Sequence, residues 1–403
     1  MKSLDIQTDV EKLLADHFNG LHSGGGRSSI AGGQTAADRA LTELNVAGYA
    51  NKRSEVLPVA ARGATVLSPY IRHNLLTLEK VWSRVAKAPY TDREKYRDEL
   101  LWQEYSRHLY ARVGARLFNN LRFEQVRDAP GDGWVQAPES PESPESMACI
   151  DFAVEELGRD GWLVNQTRMW LASQWTVRNG YGWLHGQERM YRELIDGSRA
   201  ANLTGWQWVV GSGNGRPYGL SQWQVQKRAP ELCGGCALKS NCPIQFFPDE
   251  NQLDEAPTEP LLASDPDPGA TAGPSVVVKN GTPQFVLLTI ESMGDQDPAL
   301  IANPTLPVVF VFNELALRKL QLSSKRIFFY LETLQDLAQR RDVHLFLGDP
   351  YEFARENSVA VTYAPVPSFK KFTALAEIHP YPWLKRPHAK SVKSFSAWRG
   401  KLR

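Results

Sequence analysis

The stretch IDGSRAANLTGWQW, residues 195–208, carries more polar and aromatic groups than a buried helix needs. Asp196 stands near its start, Asn202 follows, and two indoles, Trp206 and Trp208, lie one residue apart. Large rings beside small residues are an unusual way to fill a core. The chain also holds 12 tryptophans in 403 residues. We therefore expect these aromatic side chains to take part in chemistry and not only in packing.

Length and composition predict a globular protein of two or three domains, with 42% apolar and 23% charged residues. No apolar run approaches a membrane span, and the start MKSLDIQTDVEKLL is unlike a signal peptide. We therefore expect a cytoplasmic protein without membrane contact. From Ile378 onward there is no Asp or Glu, but seven Lys and Arg. This basic end suits either a polyanionic partner or a solvated tail.

Hydrophobic periodicity divides the chain into two parts. Apolar residues recur at helical spacing through most of the first 246 residues. Short β-branched runs, with a long helical stretch among them, dominate the end and predict a parallel sheet. Residues 129–146 form a predicted acidic, proline-rich exposed loop. The predicted fold class is α plus α/β in two domains: an all-α domain over 1–246, a Pro/acidic linker over 247–277, and a small Rossmann-like doubly wound α/β domain over 278–403.

The four cysteines have the spacing of metal ligands. Cys233, Cys236 and Cys242 lie in CGGCALKSNC, and Cys149 is the fourth thiol available. A cytosolic chain of this size needs no disulfide framework. Four thiolates can hold zinc or an iron–sulfur cluster, and the spacing alone leaves both open.

Several polar residues lie where a ligand site is plausible. Thr65 and Ser68 precede a predicted helix, where hydroxyl groups either bind a phosphate or only cap the helix. Glu99, Trp102, Gln103 and Ser106 share one helix face, which suggests a wall facing an aromatic ligand. Arg168 is expected to pair with Asp196, because a buried charge needs a partner.

Four motifs in this order resemble the FAD-binding helical domain of the DNA photolyase/cryptochrome family. They are ATVLSP at 64–69, ELLWQEYSRHL at 99–109, NQTRM at 165–169 and IDGSRAANLTGWQW at 195–208. The resemblance runs from about residue 35 to 223. The stretches at 310–338 and 345–350 resemble the family's α/β domain, which usually comes first. The resemblance therefore implies a circularly permuted member with a trimmed α/β domain, and it leaves open whether that domain holds an antenna chromophore.

The resemblance implies roles for individual residues. The implied FAD contacts are Tyr49, Thr65, Val66, Leu67, Ser68, Gln103, Asn165, Arg168, Asp196, Ser198 and Asn202. Asn202 would face flavin N5, where an amide favours the reduced flavin. Trp206 and Trp183 would be the first two members of an electron-transfer chain, with Trp134, Trp175 and Tyr181 as candidates for the third. The implied lesion pocket, where a flipped dimer would be repaired next to Asn202, is formed by Glu99, Trp102, Met169 and Trp208.

Four positions depart from the family pattern. Ala64 replaces a threonine, Ser198 an aspartate, and Gln103 and Gln166 replace arginines. Losing basic groups near the pocket weakens the expectation of DNA binding, although the basic C-terminal run is a possible substitute. The cysteine layout is similar to the family's bacterial iron–sulfur branch. That similarity favours a [4Fe–4S] cluster over zinc.

The leading functional hypothesis is light-driven repair of UV-damaged DNA, the activity of a deoxyribodipyrimidine photo-lyase. The alternative is a cryptochrome-like blue-light photoreceptor that acts on a signalling partner and does not repair DNA. A redox flavoprotein without a light function ranks third. The intact set Glu99, Trp102, Met169 and Trp208 favours repair, whereas the substituted basic positions favour signalling.

Overall fold

The computed structural model describes residues 1–131, 133–134, 147–248 and 252–402. Most of the predicted acidic loop and three residues of the predicted linker therefore lie outside the described residues. The α-helices are α1 (Val10–His17), α2 (Gln34–Thr42), α3 (Tyr49–Lys52), α4 (Ser68–Arg72), α5 (Leu78–Arg84), α6 (Tyr90–Val113), α7 (Ala148–Asp160), α8 (Asn165–Ser173), α9 (Trp183–Glu193), α10 (Arg199–Val209), α11 (Gln222–Arg228), α12 (Pro230–Gly235), α13 (Pro260–Ala263), α14 (Pro268–Ala272), α15 (Pro298–Ala302), α16 (Glu314–Leu320), α17 (Ser324–Ala338), α18 (Pro350–Glu356) and α19 (Phe395–Arg399).

Short 3₁₀ turns and one π-helical turn connect these helices. The turns are Val59–Ala61, Gly114–Phe118, Lys239–Asn241 and Pro367–Phe372, and the π turn is Gln174–Arg178. The predicted helical stretch at 314–338 is two helices, α16 and α17. Gln321, with a φ of 48°, stands between them in the left-handed region and so ends α16.

Six strands form one mostly parallel sheet, in the order β1-β4-β3-β2-β5-β6. They are β1 (Lys2–Leu4), β2 (Phe285–Leu288), β3 (Val308–Asn313), β4 (Val343–Gly348), β5 (Val359–Thr362) and β6 (Ala376–His379). Strands β2 to β6 pair in parallel, which confirms the parallel sheet predicted from the β-branched runs. Helices α16 and α17 connect β3 to its parallel neighbour β4, as parallel pairing requires.

The first strand corrects the prediction of an all-α domain over 1–246. Residues 2–4 pair antiparallel with β4 at the sheet edge, and Leu4 is buried. Helix α1 then packs against α17 of the α/β region. Three residues are too few to show a strand period, and their partner lies some 340 positions away. The N-terminal residues therefore belong structurally with the sheet.

One cluster of buried apolar residues spans the helical region and the sheet. A single cluster of buried side chains includes Tyr70 and Tyr96 from the helical region and Phe310 and Phe329 from the α/β region. Polar contacts reinforce this junction. Arg72 forms a bidentate ion pair with Glu291, at 2.5 and 2.8 Å. The boundary between the two predicted domains is therefore a packed interface.

The described residues of the predicted Pro/acidic linker pack against the helical region. Leu262 and Ala272 are buried, and helices α13 and α14 lie against α6. The side chain of Asp265 is 4% exposed and lies 3.2 Å from the guanidinium of Arg112. Composition suggested little to bury, but two apolar residues and one buried ion pair are enough to fix the segment.

The basic C-terminal end is not a solvated tail. Val392 and Trp398 are fully buried against the helical core. Trp398 Nε1 donates to His108 Nδ1 at 2.9 Å, and Tyr105 Oη donates to the Val392 carbonyl at 2.9 Å. The backbone is thus anchored along α6. The exposed cations of this segment are Lys385, Arg386, Lys390, Lys393, Arg399 and Lys401.

A buried carboxyl group fastens the same segment and gives a pH prediction. Glu104 is fully buried, and its Oε1 accepts from the Lys385 amide at 2.8 Å. Burial raises the pKa of Glu104 to about 7. The folded state therefore holds this proton more tightly than the unfolded state, so stability falls as pH rises from about 4.5 to 7. By linkage the loss is on the order of 3 kcal/mol.

We expect Glu104→Gln to remove this pH dependence, because glutamine keeps the acceptor and carries no charge. Thermal midpoints measured from pH 5 to 8 should fall for the parent chain and stay level for the variant. Glu94→Gln, on an exposed turn of α6, is the control and should leave the slope unchanged. If the thermal midpoint falls equally with pH in the parent chain and in Glu104→Gln, the Glu104 carboxyl group is not the source of the pH dependence.

No helix in the described part of the chain is both long and apolar enough to cross a membrane.

Candidate functional site

The predicted phosphate loop lies against two aromatic side chains. Thr65 Oγ1 is 3.0 Å from Tyr96 Oη, and Trp162 Nε1 donates to Ser68 Oγ at 2.9 Å. Neither hydroxyl caps α4, whose N-cap is Leu67 without a side-chain cap bond. Because an indole N–H can only donate, the Ser68 hydroxyl keeps its own proton for a ligand. Val66 is exposed and Leu67 is buried.

An ion pair joins helix α8 to the Asp-Gly turn. Arg168 donates to Asp196 Oδ2 at 2.8 Å, which confirms the predicted pair. Arg168 Nε also donates to the Leu163 carbonyl at 3.0 Å, next to Trp162. Trp162 contacts Ser68, and its neighbour Leu163 contacts Arg168, which pairs with Asp196. Residues 162–163 therefore connect the phosphate loop to the Asp-Gly turn. Asp196 Oδ1 is buried and has no partner among the described residues, so one carboxylate oxygen is left for a ligand.

The backbone of the Asp-Gly turn is held by residues at the end of α4 and by one residue of α17. His73 Nε2 lies 3.0 Å from the Ile195 carbonyl, and Arg72 Nε donates to the Gly197 carbonyl at 3.0 Å. Arg326 from α17 is buried under the turn and donates to the Leu194 carbonyl at 2.7 Å. A Cβ at Gly197 would lie 1.8 Å from the Arg326 guanidinium. Glycine is therefore required here for close packing.

Asn202 has a fixed orientation. Its Nδ2 donates to both the backbone carbonyl and the side-chain oxygen of Gln187, at 2.8 and 3.0 Å. A carbonyl can only accept, which identifies the nitrogen and leaves Asn202 Oδ1 as the free atom. Ser198 caps α10 through the Ala201 amide at 3.3 Å. Asn202 therefore offers a ligand a hydrogen-bond acceptor.

Two of the buried indoles, Trp206 and Trp175, meet at Gly186. A Cβ on Gly186 would lie 2.3 Å from Trp206 Cη2 and 2.7 Å from Trp175 Cδ1, so these two rings flank one glycine. Trp175 in turn lies 5.2 Å from Trp134 and 5.6 Å from Tyr181, ring centre to ring centre. All three candidates for the third position thus form one cluster that reaches Trp206.

Trp183, the predicted second member, lines a separate cavity of about 640 Å³. Phe118, Asn120 and His185 line the same cavity. The ring of Trp183 is almost completely buried. No ring contact among the described residues joins Trp183 to Trp206. Trp175, by contrast, lies against the same glycine as Trp206.

The predicted lesion wall on α6 is partly covered. Glu99 is 37% exposed and forms ion pairs with Lys95 at 3.0 Å and Arg53 at 3.7 Å. Trp102 stacks on Phe395 of the C-terminal segment, with centroids 4.0 Å apart and an interplanar angle of 11°. Trp102 remains half-buried. One face of the indole is thus already occupied by a side chain of the protein.

The other predicted site residues lie on neighbouring helices. Asn165 Nδ2 donates to Met169 Sδ at 3.5 Å, and Trp208 is 40% exposed beside Tyr218. Tyr49 packs edge-on against Tyr96, and Gln103 is half-buried on α6. In the described part of the chain, no hydrogen bond or ring contact joins Trp208 to Glu99 or Trp102. Glu99 and Trp102 lie on α6, Met169 on α8 and Trp208 on α10.

The four cysteines converge on one small cavity. Cys149 from α7 lines it together with Cys233, Cys236 and Cys242. Burial, and then the charges of the other three thiols, raise the pKa of Cys149. Among the described residues, no three His, Cys, Asp or Glu side chains are close enough to hold a metal ion.

The comparisons identify the helical region. Residues 96–219 match the family model described as the FAD binding domain of DNA photolyase. This part of the chain is similar to the FAD-binding domain of DNA photolyase. Its motif residues on α6, α8 and α10 all fall inside the matched range. The match supports FAD as the cofactor of this region.

Relatives within the photolyase/cryptochrome family match the chain in part. Deoxyribodipyrimidine photo-lyase of Vibrio cholerae serotype O1 is 29% identical over 168 residues, 40% of this chain and 35% of the relative. A deoxyribodipyrimidine photo-lyase of Thermus thermophilus is 30% identical over 188 residues, 45% and 42% respectively. Cryptochrome DASH of Gloeobacter violaceus is 26% identical over 167 residues, 38% and 33%. The chain thus spans less than half the length of these relatives.

A solved structure, a bacterial class III photolyase from Agrobacterium tumefaciens, is similar to 49% of this chain and 43% of its own, with 21% identity and a TM-score of 0.39.

The residues present fit an FAD. Asp196 Oδ1 and Trp206 Nε1 are buried polar atoms without a partner among the described residues, as expected where a polar ligand is to bind.

The site also includes residues that the sequence did not single out, namely Gln187, Trp162 and Phe395. Gln187 of α9 and Trp162, between α7 and α8, act through hydrogen bonds to Asn202 and Ser68. Phe395 and Trp398, spaced i and i+3, were a signal of a buried helix within the basic end.

Proposed function

We propose that the chain is a light-driven DNA-repair flavoprotein of the photolyase type, which splits a pyrimidine dimer flipped out of DNA. Bound FAD, in its reduced form, supplies the electron that blue light transfers to the dimer. The observation that carries the proposal is the surface of α6. There Glu99 and Trp102, one turn apart, border a segment with six exposed cations. Those cations suit the phosphates of DNA and replace the arginine missing at Gln103.

In this proposal, different residues of the chain bind the diphosphate, orient the flavin, transfer electrons and hold the flipped base. Ser68 and Thr65 supply hydroxyl groups to the diphosphate, and the Arg168–Asp196 pair orients the flavin side of the site. Asn202 presents an acceptor oxygen, which suits a flavin nitrogen that carries a proton. Trp206 and Trp175 provide the first steps for electrons that reach the flavin, with Trp183 outside that contact. Glu99 and Trp102 hold the flipped base.

We also propose that the four thiols hold a [4Fe–4S] cluster rather than zinc. The support is the cavity that all four line, on two separate parts of the chain. A cluster there would fasten the segment with α11 and α12 to α7.

We also propose that the chain is circularly permuted, on the evidence of the order of its strands. Residues 2–4 complete a sheet whose other strands lie at 285–379, so the chain leaves the sheet, builds the helical region and returns.

One observation favours the alternative, a cryptochrome-like photoreceptor without repair. Phe395 already stacks on Trp102, in the geometry that a flipped base would adopt. If Phe395 occupies the lesion position, blue light would alter the C-terminal segment instead of a dimer. The two functions thus differ in whether DNA displaces this contact.

A repair assay tests the proposal. Purified protein is reduced without oxygen, flavin and iron are quantified, and oligonucleotides with one cyclobutane or one (6-4) dimer are added. We expect blue light, but not darkness, to restore the intact pyrimidines of one of these substrates, as followed by chromatography. No restoration of either lesion by fully reduced protein would contradict repair and favour the photoreceptor.

A further inference from the structure

Arg72, at the end of α4, connects the Asp-Gly turn to the α/β region. Its Nε donates to the Gly197 carbonyl at 3.0 Å, and its two terminal nitrogens donate to the carboxylate of Glu291 at 2.5 and 2.8 Å. The side chain of Arg72 is 9% exposed and that of Glu291 is 19% exposed. Glu291 follows β2 in the α/β region. One guanidinium group therefore joins a backbone atom of the turn to a carboxylate of the other region.

His73 makes a second connection between the same segments. Its ring lies between the carbonyls of Ile195 and Ile290, with ring nitrogens at 3.0 and 2.7 Å from the two oxygens. The Met293 amide donates to the His73 carbonyl at 2.9 Å, which fixes the backbone behind the ring. His73 is fully buried. Residues 290–293 thus hold residues 72–73, and these in turn hold the Asp-Gly turn.

These contacts fix the position of Asp196. The two carbonyls that Arg72 and His73 contact belong to the residues immediately after and before Asp196. Arg168 donates to Asp196 Oδ2 at 2.8 Å. The other oxygen, Oδ1, is buried and has no partner among the described residues. The direction of this free oxygen is therefore set by the backbone on both sides of Asp196 as well as by its ion pair.

The orientation of Arg72 depends on the charge of Glu291. Although burial favours the protonated acid, the charge and hydrogen bonds of Arg72 hold the pKa of Glu291 below its usual value, so the pair is ionised at neutral pH. No other ion pair in the described part of the chain engages Arg72, so loss of the carboxylate would leave a buried charge uncompensated. We expect such a guanidinium to turn towards water, which would move its Nε away from the Gly197 carbonyl.

We propose that Glu291 is a positioning residue for the flavin site. Through Arg72 it fixes the Asp-Gly turn, so that Asp196 presents its free oxygen to FAD. The inference rests on the FAD site proposed above. Glu291 acts through Arg72, because no hydrogen bond or ion pair among the described residues joins it to Asp196 directly. The α/β region thus takes part in holding the flavin, although the residues implied to contact FAD all lie in the helical region.

FAD release from the whole flavin-loaded protein tests this inference. Flavin fluorescence gives the release rate, visible circular dichroism reports the geometry of the bound flavin, and thermal midpoints report stability. We expect Glu291→Gln to accelerate release five- to twentyfold and to change the circular dichroism, whereas Glu291→Asp, which keeps the charge, should lie nearer the parent protein. Asp265→Asn is the matched control, because it neutralises a buried carboxylate that pairs with Arg112. It should lower the thermal midpoint and change release less than twofold.

A double variant separates positioning from stability. Arg72→Met combined with Glu291→Gln removes the uncompensated charge, so the thermal midpoint should recover relative to Glu291→Gln alone. Release of FAD should stay at least tenfold faster than in the parent protein, because the Gly197 carbonyl has lost its donor. Recovery of both quantities would mean that the pair only joins the two regions, and the inference would be wrong.

The outcomes also separate this inference from the proposed function. A parent protein that retains FAD, with the release rate unchanged in Glu291→Gln, would overturn the positioning role alone. A parent protein that binds no FAD would overturn both.

Discussion

Asp196→Ala is expected to yield protein that has lost most of its FAD. Arg168 is only 26% exposed, and Asp196, at 2.8 Å, is its carboxylate partner. Removing one member of this largely buried pair leaves the Arg168 charge uncompensated, which costs about 3 kcal/mol of folding stability and loosens the Asp-Gly turn. The same change also removes the free Oδ1 that a ligand would meet. The ratio of flavin to protein absorbance and a titration with FAD measure the effect.

Two further variants sharpen this test. Asp196→Asn keeps an acceptor for Arg168 without the charge, so we expect an intermediate loss of FAD. Glu314→Ala breaks an exposed ion pair with Arg318, whose side chains are 44% and 61% exposed, and should leave flavin content unchanged. Full flavin occupancy in Asp196→Ala would show that this pair fastens helices only and does not serve the cofactor.

Local chemistry made the Arg168–Asp196 pair predictable. A cation on a mostly apolar helix needs a buried anion, and Asp196 stood in a motif with few other carboxylates. The parallel sheet followed from β-branched runs with a helical stretch between them. Both inferences use residues that are close in sequence or a pattern that repeats. Predictions from such local patterns hold in the folded protein because they do not depend on which distant segment packs nearby.

The failed predictions depended on distant partners. Strand β1 is visible only through its pairing with β4, and the C-terminal segment is buried only because α6 provides Tyr105 and His108 as partners. Composition made both ends resemble surface segments. Trp175 was one of three equal candidates, because the small residue that lets two indoles meet, Gly186, lies on another helix. Tertiary contacts of this kind cannot be deduced from spacing.

Trp102→Leu is expected to lower repair of a dimer-bearing oligonucleotide by ten- to a hundredfold. Stacking of a base on an aromatic ring contributes about 1–3 kcal/mol, and leucine keeps apolar volume while removing the ring plane. The lesion would bind more weakly, while FAD content should stay at the parent level. Repair under saturating and limiting substrate, together with flavin absorbance, measures both quantities.

Phe395→Leu is the matched control, because it removes the same 4.0 Å ring contact from the other side and leaves the indole in place. If Trp102 holds the lesion with its other face, Phe395→Leu should change repair by less than threefold. Equal losses in the two variants would mean that the stacked pair only supports α6. A marked gain in Phe395→Leu would mean that the C-terminal segment and the lesion compete for one face of Trp102, so that DNA must displace α19 before repair.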